Sequence, residues 1–540
     1  MKDISSTGSF INFYLNNYIY VDKTQYIRDL IKLERVFISR PRRFGKSLTL
    51  DTIATLFETG VEPYFKGTWI YDKWTEPTYP VLRLNFLDLD KYSLEHFKQK
   101  LNAIISSFAR DINVKNYEEK VEPEDTIYFL LDELRKEKRQ IVILIDEYDC
   151  QMTANINNET LYNQFQEKIK SFYATIKNKW AIKFLGITGV TRLKDVEIFS
   201  IGSDINDITN ESAFSQLIGF TRDEIKKYYI DYLKLASSYE NSCSVDNVTD
   251  EQIESLLDRL AKNYDGYCFD EFYKKKVFST WSVNSFFQSI IENKFVYFDE
   301  YWYDNGGLPS ILVNYLKTHE LNIFEYLDKD KFLKVSSDDF KNPTALTTIN
   351  QNVLMCQTGY LTLRSDLNKT STVALGIPNG EIYKALNRLL ANNIFKGNTD
   401  ITDDYGRSLL EVGTVDDIIN LFNSALNSVS YDNYPIVSES SVQNMLKLYL
   451  LGAHQEVLSE VHEAKGRADL VVNTDNKRIV FEFKYAKNET EAKSKLSEAV
   501  EQIKTRDYGN IVPKKAELLR IAAVFNADPK VRAFTEYQEV

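Results

Sequence analysis

Val36-Phe37-Ile38-Ser39-Arg40-Pro41-Arg42-Arg43-Phe44-Gly45-Lys46-Ser47 carries an apolar strand into the first turn of a helix. Leu50, Ile53, Ala54 and Phe57 follow at helical spacing. Strand, loop, Gly-Lys-Ser and helix in that order make a phosphate-binding loop. A helix N-terminus has unpaired N–H groups and a partial positive charge, so an anion is stabilised there. In that geometry Gly45 lets the backbone approach the phosphates, Lys46 reaches the β- and γ-phosphates of ATP, and the Ser47 hydroxyl binds Mg²⁺. One position departs from the usual pattern. Arg40 stands where a first glycine is customary, and Pro41 stiffens the loop beside it. Altered wrapping of the phosphates and slow or absent hydrolysis are the expectation, with Arg42 and Arg43 supplying compensating charge.

Working outward, apolar runs at 35–39, 80–86, 140–145 and 182–188 alternate with helical stretches, the rhythm of a parallel α/β sheet. The third run, Ile141-Val142-Ile143-Leu144-Ile145, ends in Asp146-Glu147. This is the Walker B form, with Asp146 for Mg²⁺ and Glu147 to activate water. The fourth ends in Thr188-Gly189-Val190-Thr191-Arg192, where Thr188 could sense a γ-phosphate and Arg192 could stabilise its charge.

Together with Tyr20-Val21-Asp22-Lys23-Thr24, Gly219-Phe220-Thr221, the Tyr264–Gly266 segment and Gln357-Thr358-Gly359-Tyr360-Leu361, these strings resemble the AAA-ATPase-like family of bacterial proteins. The resemblance spans nearly the whole chain. That family shares the missing first glycine and usually carries a PD-(D/E)XK nuclease-like domain at its C-terminus.

The C-terminal residues support such a domain independently. Gly466-Arg467-Ala468-Asp469 and Phe481-Glu482-Phe483-Lys484 flank a polar turn. Glu482 and Lys484 are two apart, so in a strand they share a face. With Asp475 and Asn476 as turn residues, Asp469 falls opposite Glu482. Two facing carboxylates repel unless a cation joins them. Lys484 supplies one charge, and Mg²⁺ or Mn²⁺ held by oxygen ligands would supply the rest. Such a metal activates water and offsets charge on a phosphodiester. Asp469, Glu482 and Lys484 resemble the PD-(D/E)XK core. By the same resemblance Glu460 is a further metal-binding acid, and Gln502 with Tyr508 matches the Gln-and-Tyr motif of some branches. His454 and His462 need no catalytic role.

The whole chain sets the bounds. Its 540 residues are 43% hydrophobic and 27% charged, an ordinary globular composition. Net charge is −12, which argues against nonspecific coating of nucleic acid but permits a local basic groove. No run of about 18 apolar residues is present, so no membrane span is expected. Four widely spaced cysteines suit a reducing cytoplasm. The expected organisation is a P-loop domain over 1–215, a mostly helical middle over 216–435 and a small α/β nuclease-like domain over 436–540. The expected activity is ATP binding coupled to metal-dependent cleavage of nucleic acid, DNA favoured. The alternative is a nucleotide-gated switch that binds nucleic acid or protein without cutting. The sequence leaves the oligomeric state open.

Overall fold

Five strands, β1 (Arg35–Ser39), β2 (Val81–Asn85), β3 (Ile141–Asp146), β4 (Ile182–Gly189) and β5 (Asn206–Asp207), form a parallel sheet in the order β2-β3-β4-β1-β5. The architecture is that of a computed structural model. It describes the chain except residues 178, 194–203, 303–309, 317–322, 344, 396–406, 454, 464–465 and 510–516. Side chains at 310, 316, 407, 456, 460, 462 and 463 also lie outside the described part. The central strands are continuous apolar runs because helices cover both faces of a parallel sheet. Val36, Phe37, Ile143, Ile145 and Leu185 are all buried. β4 lies between the phosphate-loop strand and the acid-bearing strand, pairing Ile187 with Phe37 on one side and Ile145 on the other. The ends of β1, β3 and β4 therefore open onto one edge, where parallel sheets bind ligands.

The chain divides into two compact units, Met1–His319 with Phe332–Ile382, and Glu320–Lys331 with Tyr383–Val540. In the first unit the helices Arg222–Tyr228, Ile230–Asn241, Asp250–Tyr264 and Thr280–Asn293 share a core of Ile225, Tyr229, Leu233, Leu257, Phe286 and Ile290. Two of these helices begin in capping boxes, Thr221 with Glu224 and Thr249 with Gln252, which satisfy their first N–H groups. The helical middle also holds a small antiparallel sheet. It comprises β6 (Leu333–Ser336), β7 (Thr362–Leu363) and β8 (Thr372–Gly376), in the order β6-β8-β7. Strands of two to five residues carry too little periodicity to be read from sequence.

The second unit is built on β9 (Glu456–Glu463), β10 (Gly466–Asn473), β11 (Lys477–Ala486), β12 (Glu517–Asn526) and β13 (Ala533–Glu539). Their order is β13-β12-β11-β10-β9, and only β11 and β12 run parallel. The helix Glu489–Arg506 makes the crossover between those two and packs Ala499 and Ile503 over Val480 and Ala522. Phe422 packs against Phe481 and Phe534. The hairpin register matches a turn at Asp475–Asn476, with Leu470 opposite Phe481 and Asn473 opposite Arg478. Among the described residues no helix is long and apolar enough to cross a membrane.

Candidate functional site

Gly45 caps the helix Lys46–Thr59 with φ +101°, a conformation that favours glycine. The Lys46 ammonium donates to the Arg40 carbonyl at 3.1 Å and the Pro41 carbonyl at 3.2 Å, and lies 3.7 Å from Glu147. Ser47 Oγ donates to Asp146 Oδ2 at 2.5 Å, and Thr188 Oγ1 donates to the other Asp146 oxygen. Lys46, Ser47, Asp146, Glu147 and Thr188 are thus gathered where three strands end. Burial pushes the Glu147 carboxyl upward, and the Lys46 charge opposes that shift. A cavity of about 350 Å³ opens here. Arg42, Arg43, Lys46 and Ser47 line it beside an apolar wall that includes Ile19, Val21, Ile218 and Trp281. The Arg43 guanidinium lies over the Trp281 ring, 4.0 Å from its centroid. Thr280 Oγ1 donates to the Arg43 carbonyl at 3.0 Å, and the Trp302 indole N–H donates to the Arg42 carbonyl at 3.4 Å.

Two arginines are used elsewhere. Arg40 is buried, its guanidinium lies over the Phe269 ring at 4.1 Å, and Nη1 donates to the Ser39 and Thr209 carbonyls at 2.8 and 2.6 Å. Its burial lowers the guanidinium pKa to about 9. The residue in the missing-glycine position is a strut under the loop. Arg192 pairs with Asp207 and donates to the Lys341 carbonyl. It lines a small cavity with Arg40 and is absent from the walls of the one beside Lys46.

In the second unit, Glu482 is fully buried. The Lys484 ammonium lies 2.8 Å from Glu482 Oε1, 3.4 Å from Glu439 Oε1, and donates to the Phe483 carbonyl at 3.1 Å. Just beyond the paired part of the hairpin, the Phe483 N–H donates to Asp469 Oδ2 at 2.8 Å. The other Glu482 oxygen is buried and has no hydrogen-bond partner among the described residues. Burial, reinforced by the Asp469 charge and opposed by Lys484, pushes the Glu482 carboxyl up to about 7. Gln502 Nε2 donates to the Tyr508 hydroxyl at 3.3 Å, so those two also meet.

Residues 5–199 match the family model of a predicted AAA-ATPase, and residues 437–534 match that of the PD-(D/E)XK nuclease superfamily. The chain joins an AAA-ATPase-like domain to a PD-(D/E)XK superfamily domain. A protein of Azotobacter chroococcum mcd 1, described as an uncharacterized protein in the vnfD 5′ region, is 26% identical over 533 residues. That match covers 95% of this chain and 94% of the relative. Cdc6p from Pyrobaculum aerophilum matches at 11% identity and TM-score 0.26, over 72% of this chain and 99% of that one. The Aeropyrum pernix ORC1 protein, solved in complex with DNA, matches at 11% and 0.25, over 69% and 95%. Scores this low bear neither on the fold nor on a partner.

Within the PD-(D/E)XK superfamily domain, two residues escaped the sequence reading. Glu439 and Gln443 come from the helix Glu439–Gly452, the first reaching Lys484 and the second donating to the Asp469 carbonyl. The signal was the Ser438 cap. The side chain of Glu460 lies outside the described residues, as do His454 and the side chain of His462. Within the AAA-ATPase-like domain, Asp149 also escaped the sequence reading. It is buried and accepts the Thr191 N–H at 2.7 Å and its hydroxyl at 2.6 Å, tying the end of β3 to that of β4.

The donor set suits a divalent metal in a restricted form. Among the described residues no group of three or more His, Cys, Asp or Glu side chains is placed to hold one. Mg²⁺, however, keeps several waters and is held through one or two carboxylates. Asp469 and Glu482 meet that requirement, and the unpartnered Glu482 oxygen is a buried acceptor that a cation would satisfy.

Proposed function

We propose that this chain binds ATP with Mg²⁺ in its AAA-ATPase-like domain and uses that state to control metal-dependent cleavage of DNA phosphodiesters by its PD-(D/E)XK domain. The observation that carries the cleavage reading is Glu482. It is a carboxylate buried beside Asp469 and Lys484 with one oxygen unpaired among the described residues, although burying such a group costs stability.

In this reading Asp469 and Glu482 hold the metal, whose chemistry is to lower the pKa of a water and offset phosphate charge. Lys484, fixed by Glu482 and the Phe483 carbonyl, orients the attacking water or stabilises charge on the phosphoryl oxygens. Glu439 sets the position of that ammonium from the other side. In the ATPase-like domain, Lys46 would exchange its contacts with the Arg40 and Pro41 carbonyls for phosphate oxygens. Ser47 and Asp146 would hold Mg²⁺, and Glu147 and Thr188 would face the γ-phosphate. The apolar wall containing Ile19 and Val21 suits a purine base.

The test is cleavage of labelled single- and double-stranded DNA by the whole chain in Mn²⁺ or Mg²⁺, with and without ATP. Cleavage that Glu482→Ala reduces by at least about 10³-fold is the expected result. Wild-type protein that cuts neither form with either metal would leave the second reading, a nucleotide-gated binding switch. The two-carboxylate ligand set is the observation that favours that alternative.

A further inference from the structure

Beside the two carboxylates of the PD-(D/E)XK domain stands a cation that has no part in the proposed cleavage. Arg506 ends the helix Glu489–Arg506, and its Nη1 donates to the Tyr508 hydroxyl at 2.8 Å. Tyr508 is fully buried, and Gln502 donates to the same hydroxyl. The backbone that follows is clamped. Arg520 donates through Nε to the Tyr508 carbonyl at 2.6 Å and through Nη2 to Asp507 Oδ1 at 2.7 Å. Asp507 itself takes a left-handed conformation, φ +51°, which turns the chain off the helix.

The strand beside Arg506 is also shaped. A Cβ at Gly466 would stand 2.6 Å from Arg506 Cδ and 3.1 Å from Tyr508 Cε1. Gly466 lies on β10, three residues before Asp469, so the strand bearing a metal-ligand candidate leaves room for this arginine. The charges of Glu482 and Asp469 both act on Arg506. Even so, among the described residues Arg506 forms no ion pair, and apart from the Tyr508 bond its donors are unengaged. A guanidinium has five N–H donors in a planar fork that matches phosphate oxygens. It is exposed to solvent, so a polyanion can reach it.

We infer that Arg506, seated by Tyr508 and Gly466, is a binding point for a backbone phosphate of nucleic acid adjacent to the Asp469–Glu482 centre. This inference rests on the nucleic-acid reading of that centre and adds a residue to it. The arginine supplies positive charge beside two acids that would otherwise repel the substrate. Phosphate contacts of this kind fix register and orientation without reading sequence.

Binding and cutting are measured separately, so that failure here is distinct from failure of the cleavage reading. Binding of the whole chain to a labelled DNA single strand and its duplex is followed in EDTA across a salt series. Arg506→Ala is expected to weaken binding about 10-fold and to lower the salt slope by roughly 0.7 to 0.9, the contribution of one phosphate contact. Arg506→Lys should recover part of the affinity and most of the slope, because it keeps the charge and loses the fork. In Mn²⁺, the alanine variant should show a raised KM with kcat within about 2-fold. Unchanged affinity and slope in Arg506→Ala overturn the inference, whether or not the wild type cuts. So does a loss that Arg506→Lys fails to relieve while the melting temperature drops, since that marks a fold effect. Absence of DNA binding by the wild type overturns it as well. If the wild type binds but does not cut, the binding data alone decide the role of Arg506.

Discussion

The two centres hold their acids in opposite ways. At the phosphate loop, both Asp146 oxygens are occupied, one by Ser47 and one by Thr188. Lys46 is likewise engaged with backbone carbonyls. In the PD-(D/E)XK domain, Glu482 is buried more completely yet keeps an oxygen without a partner among the described residues, and its carboxyl is pushed up to about 7. The difference separates two kinds of ligand response. The first centre exchanges internal hydrogen bonds for those of the nucleotide, so its net gain per bond is modest. The second carries an electrostatic deficit that only protonation or a cation relieves.

The sharpest way to break that contrast is pH. Glu482 has a folded-state pKa of about 7 against an ordinary 4.5, so between those values the folded state holds the extra proton. Without metal, stability is fully present below about 4.5 and is lost as pH rises through about 7. Scanning calorimetry in EDTA should show the C-terminal transition moving down over that range. Glu482→Gln should flatten the profile and melt about 5 °C higher at pH 8. Mn²⁺ should restore the wild type at pH 8 and leave the variant unchanged. A wild-type transition independent of pH from 5 to 8 would show that the buried acid is compensated after all.

At the other centre, Lys46→Ala should abolish the thermal shift produced by ATP-Mg²⁺, corresponding to a loss of about 100-fold or more in affinity. Isothermal titration would check this directly, and near-wild-type binding would remove the loop from nucleotide recognition. A smaller effect is expected from Arg40→Gly, which puts back the customary glycine. It removes two hydrogen bonds and the stack on Phe269, so the cost should be about 2 kcal/mol of stability in denaturant unfolding, with no gain in ATP hydrolysis. Faster hydrolysis in that variant would mean that Arg40 restrains the loop rather than supports it. Smallest of all, Glu439→Gln loosens only one side of the Lys484 cradle, because the nearer contact to Glu482 remains. A fall of about 3- to 10-fold in cleavage rate is expected, and a loss equal to that of Glu482→Ala would place Glu439 among the metal ligands.

Much of this was legible because local pattern and global fold agree. The buried strands read as unbroken apolar runs, and Gly45-Lys46-Ser47 and Asp146-Glu147 sit at strand ends, where a parallel sheet exposes them. Glu482 and Lys484 could be placed on one face from strand periodicity alone, and the Asp475–Asn476 turn set the register of the hairpin. What did not show were contacts made across long sequence gaps. Glu439 reaches Lys484 across 45 residues, and Arg40 reaches Thr209 across 169. Periodicity carries no record of such pairs. Short strands such as β7 fail for another reason, since two residues cannot display an alternation.

The sequence by itself determined the α/β architecture, the phosphate loop and the hairpin that carries Glu482 and Lys484. These depend on interactions between near neighbours, which residue order encodes directly. Only the tertiary structure decided that Arg40 is a strut, that Arg192 is committed to Asp207, and that Glu482 keeps an oxygen unsatisfied by the described residues. Burial and partnership are properties of packing, and packing brings together residues that the chain keeps far apart.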